Sequence, residues 1–166
     1  MAEALAALGA VASIAQLADY GFKLSIKLFA YSEAVSRADR SIHSLSNEVS
    51  LTSAVLRELS ALLAADEARF ISAAAVEATA GTVRECLEVF EGLGAVLDKS
   101  VSGSSSSSRQ AGRGLRMADK LKWPFLQPKV ELLRSNLDRL KASLTLMLQV
   151  LSYARDIASR LVFWFD

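Results

Sequence analysis

The residues whose types could support catalysis are few, and their spacing does not form a known active site. His43 is the only histidine of the chain and Cys86 is the only cysteine. Two-histidine zinc sites and the paired Glu-x-x-His ligands of di-iron bundles are therefore excluded. A nucleophile pair of Cys86 with His43 would join two helical segments, with no loop nearby to form an oxyanion hole. We interpret Cys86 as a buried small side chain and His43 as a partly exposed helix residue.

Glycines and carboxylates follow the spacing of ordinary helices and loops. Gly92-Leu93-Gly94 and Gly112-Arg113-Gly114 lack the preceding strand and the full spacing of a phosphate-binding loop. Glu85, Glu88 and Glu91 repeat at the spacing of a helix surface, which is typical of a solvated face. The sequence predicts a protein that is not an enzyme, with no catalytic residue, metal ligand, cofactor or small-molecule substrate.

The N-terminal segment is the first feature that could carry function. Residues 4–18 contain no charged side chain, and the only charge before them is Glu3. A signal peptide needs a basic start and a transmembrane helix needs roughly 20 apolar residues, so neither fits. A helix that is apolar almost all round is either buried in a bundle or active in a membrane, and an activation switch could exchange the two. Its large apolar residues are Leu5, Leu8, Val11, Ile14 and Leu17.

A basic cluster beside aromatic residues is the second such feature. Asp119 alone opposes its charge, and Trp123 and Phe125 follow it. This composition suits an anionic lipid surface, where each Lys or Arg contributes about 1 kcal/mol. The alternative is a solvated loop in which Trp123-Pro124 is a structural motif that anchors the foot of the last helix. The cluster consists of Arg109, Arg113, Arg116, Lys120 and Lys122.

Composition limits the class of protein further. The chain has 166 residues, 52% of them hydrophobic, which predicts one domain with a substantial core. A formal net charge of +1 gives no general attraction to nucleic acid. The single cysteine excludes an intrachain disulfide and favours a reducing compartment, so we expect a cytoplasmic protein.

Apolar periodicity predicts an all-α fold, a four- to five-helix bundle with one long C-terminal helix. Residues 1–99 hold helices one to three, at about Ala2–Ala30, Arg37–Ala64 and Ser72–Asp98. Residues 100–114 are a Ser/Gly-rich flexible loop. Residues 115–166 combine the basic segment with the last helix of the same domain, which we expect to begin near Pro128 and end near Val162.

Within these helices, steps of three and four residues define the expected core. Phe22, Ile26 and Phe29 lie at helical spacing in helix one, with Lys23 and Lys27 on another face. Gly92 and Gly94 are expected to let a neighbouring helix approach closely. The expected core of helix two is Ile42, Leu45, Val49, Thr52, Leu56, Leu59 and Leu63, widened by Leu51, Val55 and Leu62. That of helix three is Val76, Ala80, Val83, Leu87, Phe90, Gly94 and Leu97, with Cys86, Val89, Leu93 and Val96 beside it. That of the last helix is Val130, Leu133, Leu137, Leu140, Leu144, Met147, Leu151, Ala154, Ala158 and Leu161.

Three stretches carry a resemblance to a known family. The chain opens with Met-Ala-Glu-Ala-Leu-Ala-Ala-Leu-Gly-Ala-Val-Ala-Ser-Ile-Ala, and Cys86-Leu87 is followed by Leu93 and Leu97. The most specific stretch is Lys120-Leu121-Lys122-Trp123-Pro124, followed by Lys129-Val130-Glu131 and a Leu-rich helix through Arg139–Leu144. Over about residues 1–155, the sequence resembles the HeLo-like N-terminal domains of fungal STAND (NOD-like) receptors.

The resemblance implies a function. The family is similar to the HeLo domain of heterokaryon-incompatibility proteins and, more distantly, to the four-helix executioner domain of necroptosis and plant resistance-protein coiled-coil domains. It implies a non-enzymatic signalling domain that oligomerises, is recruited to the plasma membrane and permeabilises it in programmed cell death. The inserting side chains would be those of Leu5, Leu8, Val11, Ile14 and Leu17.

Departures from the family pattern keep a second hypothesis open. No nucleotide-binding domain follows the bundle, so we expect either a fragment of a receptor or a stand-alone member. The expected partners are a second copy or a signalling protein, and an anionic membrane. The alternative is a passive helical protein–protein interaction module that self-associates or docks onto a partner's helix.

Overall fold

The computed structural model of the chain describes residues 2–34, 40–64, 73–102 and 115–165. Over these residues the chain is all-helical, with four helices and no strand. They are α1 (Ala2–Ala34), α2 (Arg40–Ala64), α3 (Ala73–Ser102) and α4 (Leu115–Phe165). The prediction of an all-α fold is confirmed. We expected a loop from residue 100 to residue 114, but α3 continues through Ser102. Residues 103–114 lie outside the described residues.

The last helix differs from its predicted start. We expected it to begin near Pro128, whereas α4 already begins at Leu115 and includes the basic segment. Proline disfavours a helix interior because it lacks the N–H that donates four residues back. Pro124 and Pro128 are four residues apart, so the two missing donors fall on one side of the helix. The residues before them are good helix formers, such as Leu115, Met117 and Ala118, which favour continuation of the helix.

Each helix contacts two others, in a ring that runs α1, α2, α4, α3 and back to α1. Over the described residues, the diagonal pairs, α1 with α4 and α2 with α3, have no two Cα atoms within 8 Å of each other. Cross-helix contacts show the directions. Phe29 lies near His43 whereas Ser60 bonds to Val11, so α1 and α2 are antiparallel. The ion pair of Arg139 with Glu85 and the approach of Leu133 to Gly92 show that α3 and α4 are antiparallel as well.

The α1–α2 contact combines apolar packing with serine hydrogen bonds. The Ser46 hydroxyl donates to the Ser25 carbonyl at 3.0 Å, and the Ser60 hydroxyl donates to the Val11 carbonyl at 3.2 Å. Buried hydroxyls must find acceptors, because an unpaired one costs free energy. Small hydroxyl side chains therefore let the two backbones lie close while their polar groups stay bonded.

The α2–α4 contact includes a partly buried ion pair. The Arg134 guanidinium donates to Glu48 Oε1 at 2.8 Å and to Ser44 Oγ at 2.9 Å. The hydrogen bond to Glu48 raises the pKa of Arg134, so the guanidinium stays charged. This pair joins α4 to α2 at the level of Ser44 and Glu48.

Most of the predicted core is buried as expected. In α2 the row from Ile42 to Leu59 is buried, and Leu63 packs against it partly buried. Among the core positions whose side chains are described, two were predicted wrongly; Val76, Ala158 and Leu161 lie outside the described part. Leu51 is exposed, and Leu87 is more than one-third exposed because Cys86, one position earlier, takes the place in the core. The buried large side chains of α3 and α4 are Val83, Val89, Phe90, Leu93, Val96, Leu97, Val130, Leu137, Leu140, Leu144 and Leu151.

Glycine determines where three helices meet. A Cβ placed on Gly21 of α1 would overlap Ser53 Oγ of α2 and the Phe90 ring of α3, whose Cζ is 2.8 Å away. Phe90 is completely buried, so its ring has no free space to enter. The expected close approaches at Gly92 and Gly94 are also present. A Cβ there would stand 3.0 Å from Leu133 Cδ2 and 2.9 Å from the Tyr20 hydroxyl, respectively.

We predict that Gly21→Ala destabilises the fold although alanine is the better helix former. Overpacking against Phe90 and Ser53 should lower the free energy of unfolding by about 1–3 kcal/mol. Gly81→Ala is the matched control, since a Cβ at Gly81 meets no atom within 4 Å. This substitution should raise stability by about 0.5–1 kcal/mol. Urea unfolding followed by circular dichroism measures both, and effects of the same sign would contradict the role of Gly21.

Candidate functional site

The structure keeps the two candidate nucleophile-pair residues apart. Cys86 is buried in α3 and His43 is exposed on α2, and over the described residues no Cα atom of one of these helices lies within 8 Å of a Cα atom of the other. Burial raises the pKa of the Cys86 thiol to about 12. The His43 ring packs edge-on against Phe29, with the ring centroids 5.3 Å apart. Both residues therefore take the structural places that the sequence predicts.

The carboxylates of the predicted helix-surface row on α3 lie on the surface. Glu85, Glu88 and Glu91 are exposed, and Glu85 pairs with Arg139 at 3.0 Å. The described ranges hold no group of three or more His, Cys, Asp or Glu side chains able to bind a metal ion.

The predicted inserting side chains do not share one face of α1. Steps of three residues turn by about 300°, so each residue from Leu5 to Leu17 is displaced by about 60° from the one before. Ile14 and Leu17 are buried in the core, and Val11 is half-buried. Leu5 and Leu8 belong to α1, but their side chains lie outside the described part.

The predicted basic cluster falls largely outside the described residues. Arg109 and Arg113 lie in the undescribed range 103–114. Arg116, Lys120 and Lys122, with Trp123 and Pro124, belong to the first turns of α4, and their side chains lie outside the described part. The lipid role predicted for this cluster stays a prediction.

The outer side of α1 carries an exposed apolar surface, which we call the α1 face. It consists of Phe22, Ile26 and Phe29, with exposed fractions of 47%, 55% and 46%. Their spacing of four and three residues aligns them along the helix. The core side of the same helix is formed by Gly21, Leu24, Ser25 and Leu28, which are buried. Helix α1 is thus apolar on two sides.

Charges of both signs border the α1 face. Lys23 and Lys27 are exposed on the neighbouring side of α1. Arg57 of α2 lies over the Phe22 ring, its guanidinium carbon 6.0 Å from the ring centroid, and pairs with Asp19 at 3.2 Å. Glu33 lies one turn beyond Phe29 and is exposed. Three cations against two carboxylates leave a slight positive excess.

The last third of α4 carries the second exposed apolar surface, which we call the α4 stripe. It consists of Leu146, Val150, Tyr153 and Ile157, exposed by 62%, 57%, 69% and 43%. Leu146 lies two residues after the buried Leu144, and Tyr153 lies two residues after the buried Leu151. Two residues turn by about 200°, so the stripe lies on the side of α4 opposite the core.

The α4 stripe is confined to one part of its helix. Two and three turns before Leu146, the same side of α4 carries the exposed polar residues Arg139 and Ser135, respectively. Leu132, one turn earlier again, is an isolated exposed apolar residue. Before Leu146, α4 is apolar mainly on the side that faces the core. From Leu146 onward it is apolar on the outer side as well.

Two concave regions lie next to these surfaces. A groove of about 620 Å³ between α2 and α4 is bordered by Leu51 and Val55 on one side and by Leu146 and Leu148 on the other. A crevice of about 550 Å³ separates the N-terminal half of α1 from α3, between Ile14 and Leu17 on α1 and Val83 and Leu87 on α3. The N-terminal half of α1 is thus held mainly by α2.

The spacing of the α4 stripe is visible in the sequence but does not by itself mark the stripe as an exposed surface. Leu146, Val150, Tyr153 and Ile157 are spaced by four, three and four residues, which is a seam of its own. The buried row of the same helix has similar spacing, and spacing alone does not indicate which row faces the core. The α1 face was seen as a pattern, but its exposure became evident only in the structure.

Comparison with known proteins leaves the family open. Neither protein-family models, nor curated proteins, nor solved structures give a match to this chain. The resemblance to HeLo-like domains is therefore a hypothesis carried by the sequence motifs alone. In the described ranges, none of the four helices has a stretch long and apolar enough to cross a bilayer.

The raised pKa of Cys86 gives a prediction for thiol chemistry. At pH 8 the folded chain should react with a disulfide reagent far more slowly than a free thiol, because the side chain is buried and protonated. In denaturant one thiol per chain should react at once. Rapid reaction of the folded chain would contradict the burial of Cys86.

Proposed function

We propose that this chain is a non-enzymatic signalling domain that associates with membranes through α1. The proposal includes a four-helix bundle with one long C-terminal helix, supported by the ring of helix contacts. It also adopts the HeLo-like hypothesis, in which such a domain acts in a fungal immune or incompatibility pathway. The proposed site of action is the plasma membrane.

The observation that carries the proposal is the exposure of the α1 face. Two phenylalanines and an isoleucine aligned on a helix, with lysines beside them, are typical of a helix lying in the membrane interface. Such a helix buries its apolar side about 5–10 Å into the boundary between headgroups and acyl chains. Isolated exposed apolar residues are ordinary, whereas an aligned group of this size is a feature of binding surfaces.

Apolar contact is expected to contribute more to binding than charge. Lys23, Lys27 and Arg57 favour anionic lipid, but Asp19 and Glu33 oppose them. Each uncompensated cation near the surface contributes about 1 kcal/mol. We therefore expect binding to anionic vesicles that weakens only partly in high salt.

Binding through the α1 face differs from insertion of the N-terminal segment, because insertion would require the buried Ile14 and Leu17 to leave the core. Moving these side chains into lipid would remove them from the core, where they are almost completely buried. The α1 face needs no such change, because its side chains are exposed in the folded chain. The crevice beside α3 would ease a later release of the N-terminal half of α1.

We predict that Ile26→Glu weakens binding to phosphatidylserine-containing vesicles about ten-fold or more. The substitution removes buried apolar area and adds a charge that anionic lipid repels. Vesicle co-sedimentation of the full chain measures the partition coefficient. Leu132→Glu is the matched control, because Leu132 is similarly exposed but lies on α4.

Three results would separate the alternatives. Equal binding by Ile26→Glu and the unaltered chain would refute the role of the α1 face. Loss only in a Leu8→Glu, Val11→Glu double variant would assign binding to the N-terminal segment. No binding of the unaltered chain would remove the membrane proposal itself and favour the second candidate function.

The second candidate function is that of a helical protein–protein interaction module. The α4 stripe favours it, because this surface is aligned, uncharged and adjacent to a groove. Helix-in-groove and helix-on-helix recognition use anchors of this spacing.

A further inference from the structure

We propose that the α4 stripe pairs with the α4 stripe of a second copy of this chain, forming an antiparallel two-fold dimer. The inference rests on the second candidate function, association through helices, and not on membrane binding by α1. Its starting point is that the last third of α4 is apolar on two sides, and the rest of the described chain covers only one of them.

The order of residues in the stripe is complementary to itself. The steps of four, three and four residues are the same read in either direction. An antiparallel copy therefore places Leu146 opposite Ile157 and Val150 opposite Tyr153, with the two-fold axis between residues 151 and 152. Each contact then occurs twice, as a two-fold interface requires.

The antiparallel direction also suits the sizes of the side chains. It sets the small Val150 against the large Tyr153, so the two helices can keep an even distance. A parallel pair would set Tyr153 against Tyr153 and Val150 against Val150, which crowds one level and leaves space at the next.

The apolar area fits a weak but specific dimer. The four side chains of the stripe expose together about 400 Å², which lies within the range of the largest apolar patches of monomeric proteins. Leu51, exposed across the groove from Leu146, extends this surface. With Leu51 included, two copies would bury about 1,000 Å² in total, which is the size of a weak interface rather than of a standard one. The groove is concave, so side chains of a second helix would fill it better than a flat bilayer would.

The first test is the oligomeric state of the full chain. Sedimentation velocity over a roughly hundred-fold concentration range should show a monomer that becomes a dimer. Val150→Glu should raise the dissociation constant at least ten-fold, because it sets a charge in the centre of the apolar contact. Leu132→Glu, on the same side of α4 but outside the stripe, should leave it unchanged, and circular dichroism checks that both variants are folded.

The second test determines the direction of pairing. Cys86 is buried, so a cysteine introduced on the stripe reports alone. Oxidation of a mixture of Leu146→Cys and Ile157→Cys should give a crosslinked dimer of the two variants, whereas each variant alone should crosslink poorly. Equally efficient crosslinking of Leu146→Cys with itself would indicate parallel pairing and overturn the proposal.

The remaining outcomes separate this inference from the proposed function. A monomer at every concentration, or a dimer unaffected by Val150→Glu, would overturn the pairing and leave vesicle binding by α1 untouched. If the unaltered chain is a monomer and Val150→Glu reduces vesicle binding, the stripe faces lipid. That result would also overturn the pairing. Unchanged vesicle binding together with loss of the dimer supports the pairing.

Discussion

Helices α1, α2 and α3 can meet at Gly21 because glycine has no side chain. Gly21 leaves room for the Phe90 ring, and Ser53 closes the same space from α2. Ser53 Oγ donates to the Val49 carbonyl of its own helix at 2.8 Å, so a buried polar atom at this crowded place stays bonded. The close approach lets Leu17 and Leu24, on either side of Gly21, be buried in the core.

Most of the fold could be predicted from spacing because each helix has a continuous buried row. The row from Ile42 to Leu59 was read correctly, since the steps of three and four residues keep it on one side of α2. The errors occur where two rows of apolar residues run side by side. Leu87 and Cys86 are adjacent, and both continue a regular pattern, but only the packing of α3 against α1 and α4 determines which is buried. The start of α4 was missed for another reason, because the two prolines outweighed the helix formers before them.

The candidate surfaces could be predicted only in part, because here too two rows of apolar residues run side by side on one helix. Phe22, Ile26 and Phe29 were visible as an aligned group, but alignment does not distinguish a core side from an outer side when Leu24 and Leu28 form a second row. The α4 stripe was passed over because the row from Val130 to Leu151 already accounted for the apolar content of that helix. A helix with two rows holds more apolar residues than its own core needs, and this surplus is the signal of a binding surface.

The positions of the two surfaces make them independent of each other. Helices α1 and α4 lie on a diagonal of the ring, and over the described residues no Cα atom of one lies within 8 Å of a Cα atom of the other. Pairing through the α4 stripe therefore does not require the α1 face, and a two-fold dimer would present two such faces. Where both faces can reach one bilayer, binding of the first raises the effective concentration of the second, so a weak membrane contact becomes a stronger one without any new residue. If the stripe pairs and the α1 face binds lipid as proposed, the concentration of the chain would set how many membrane contacts act together.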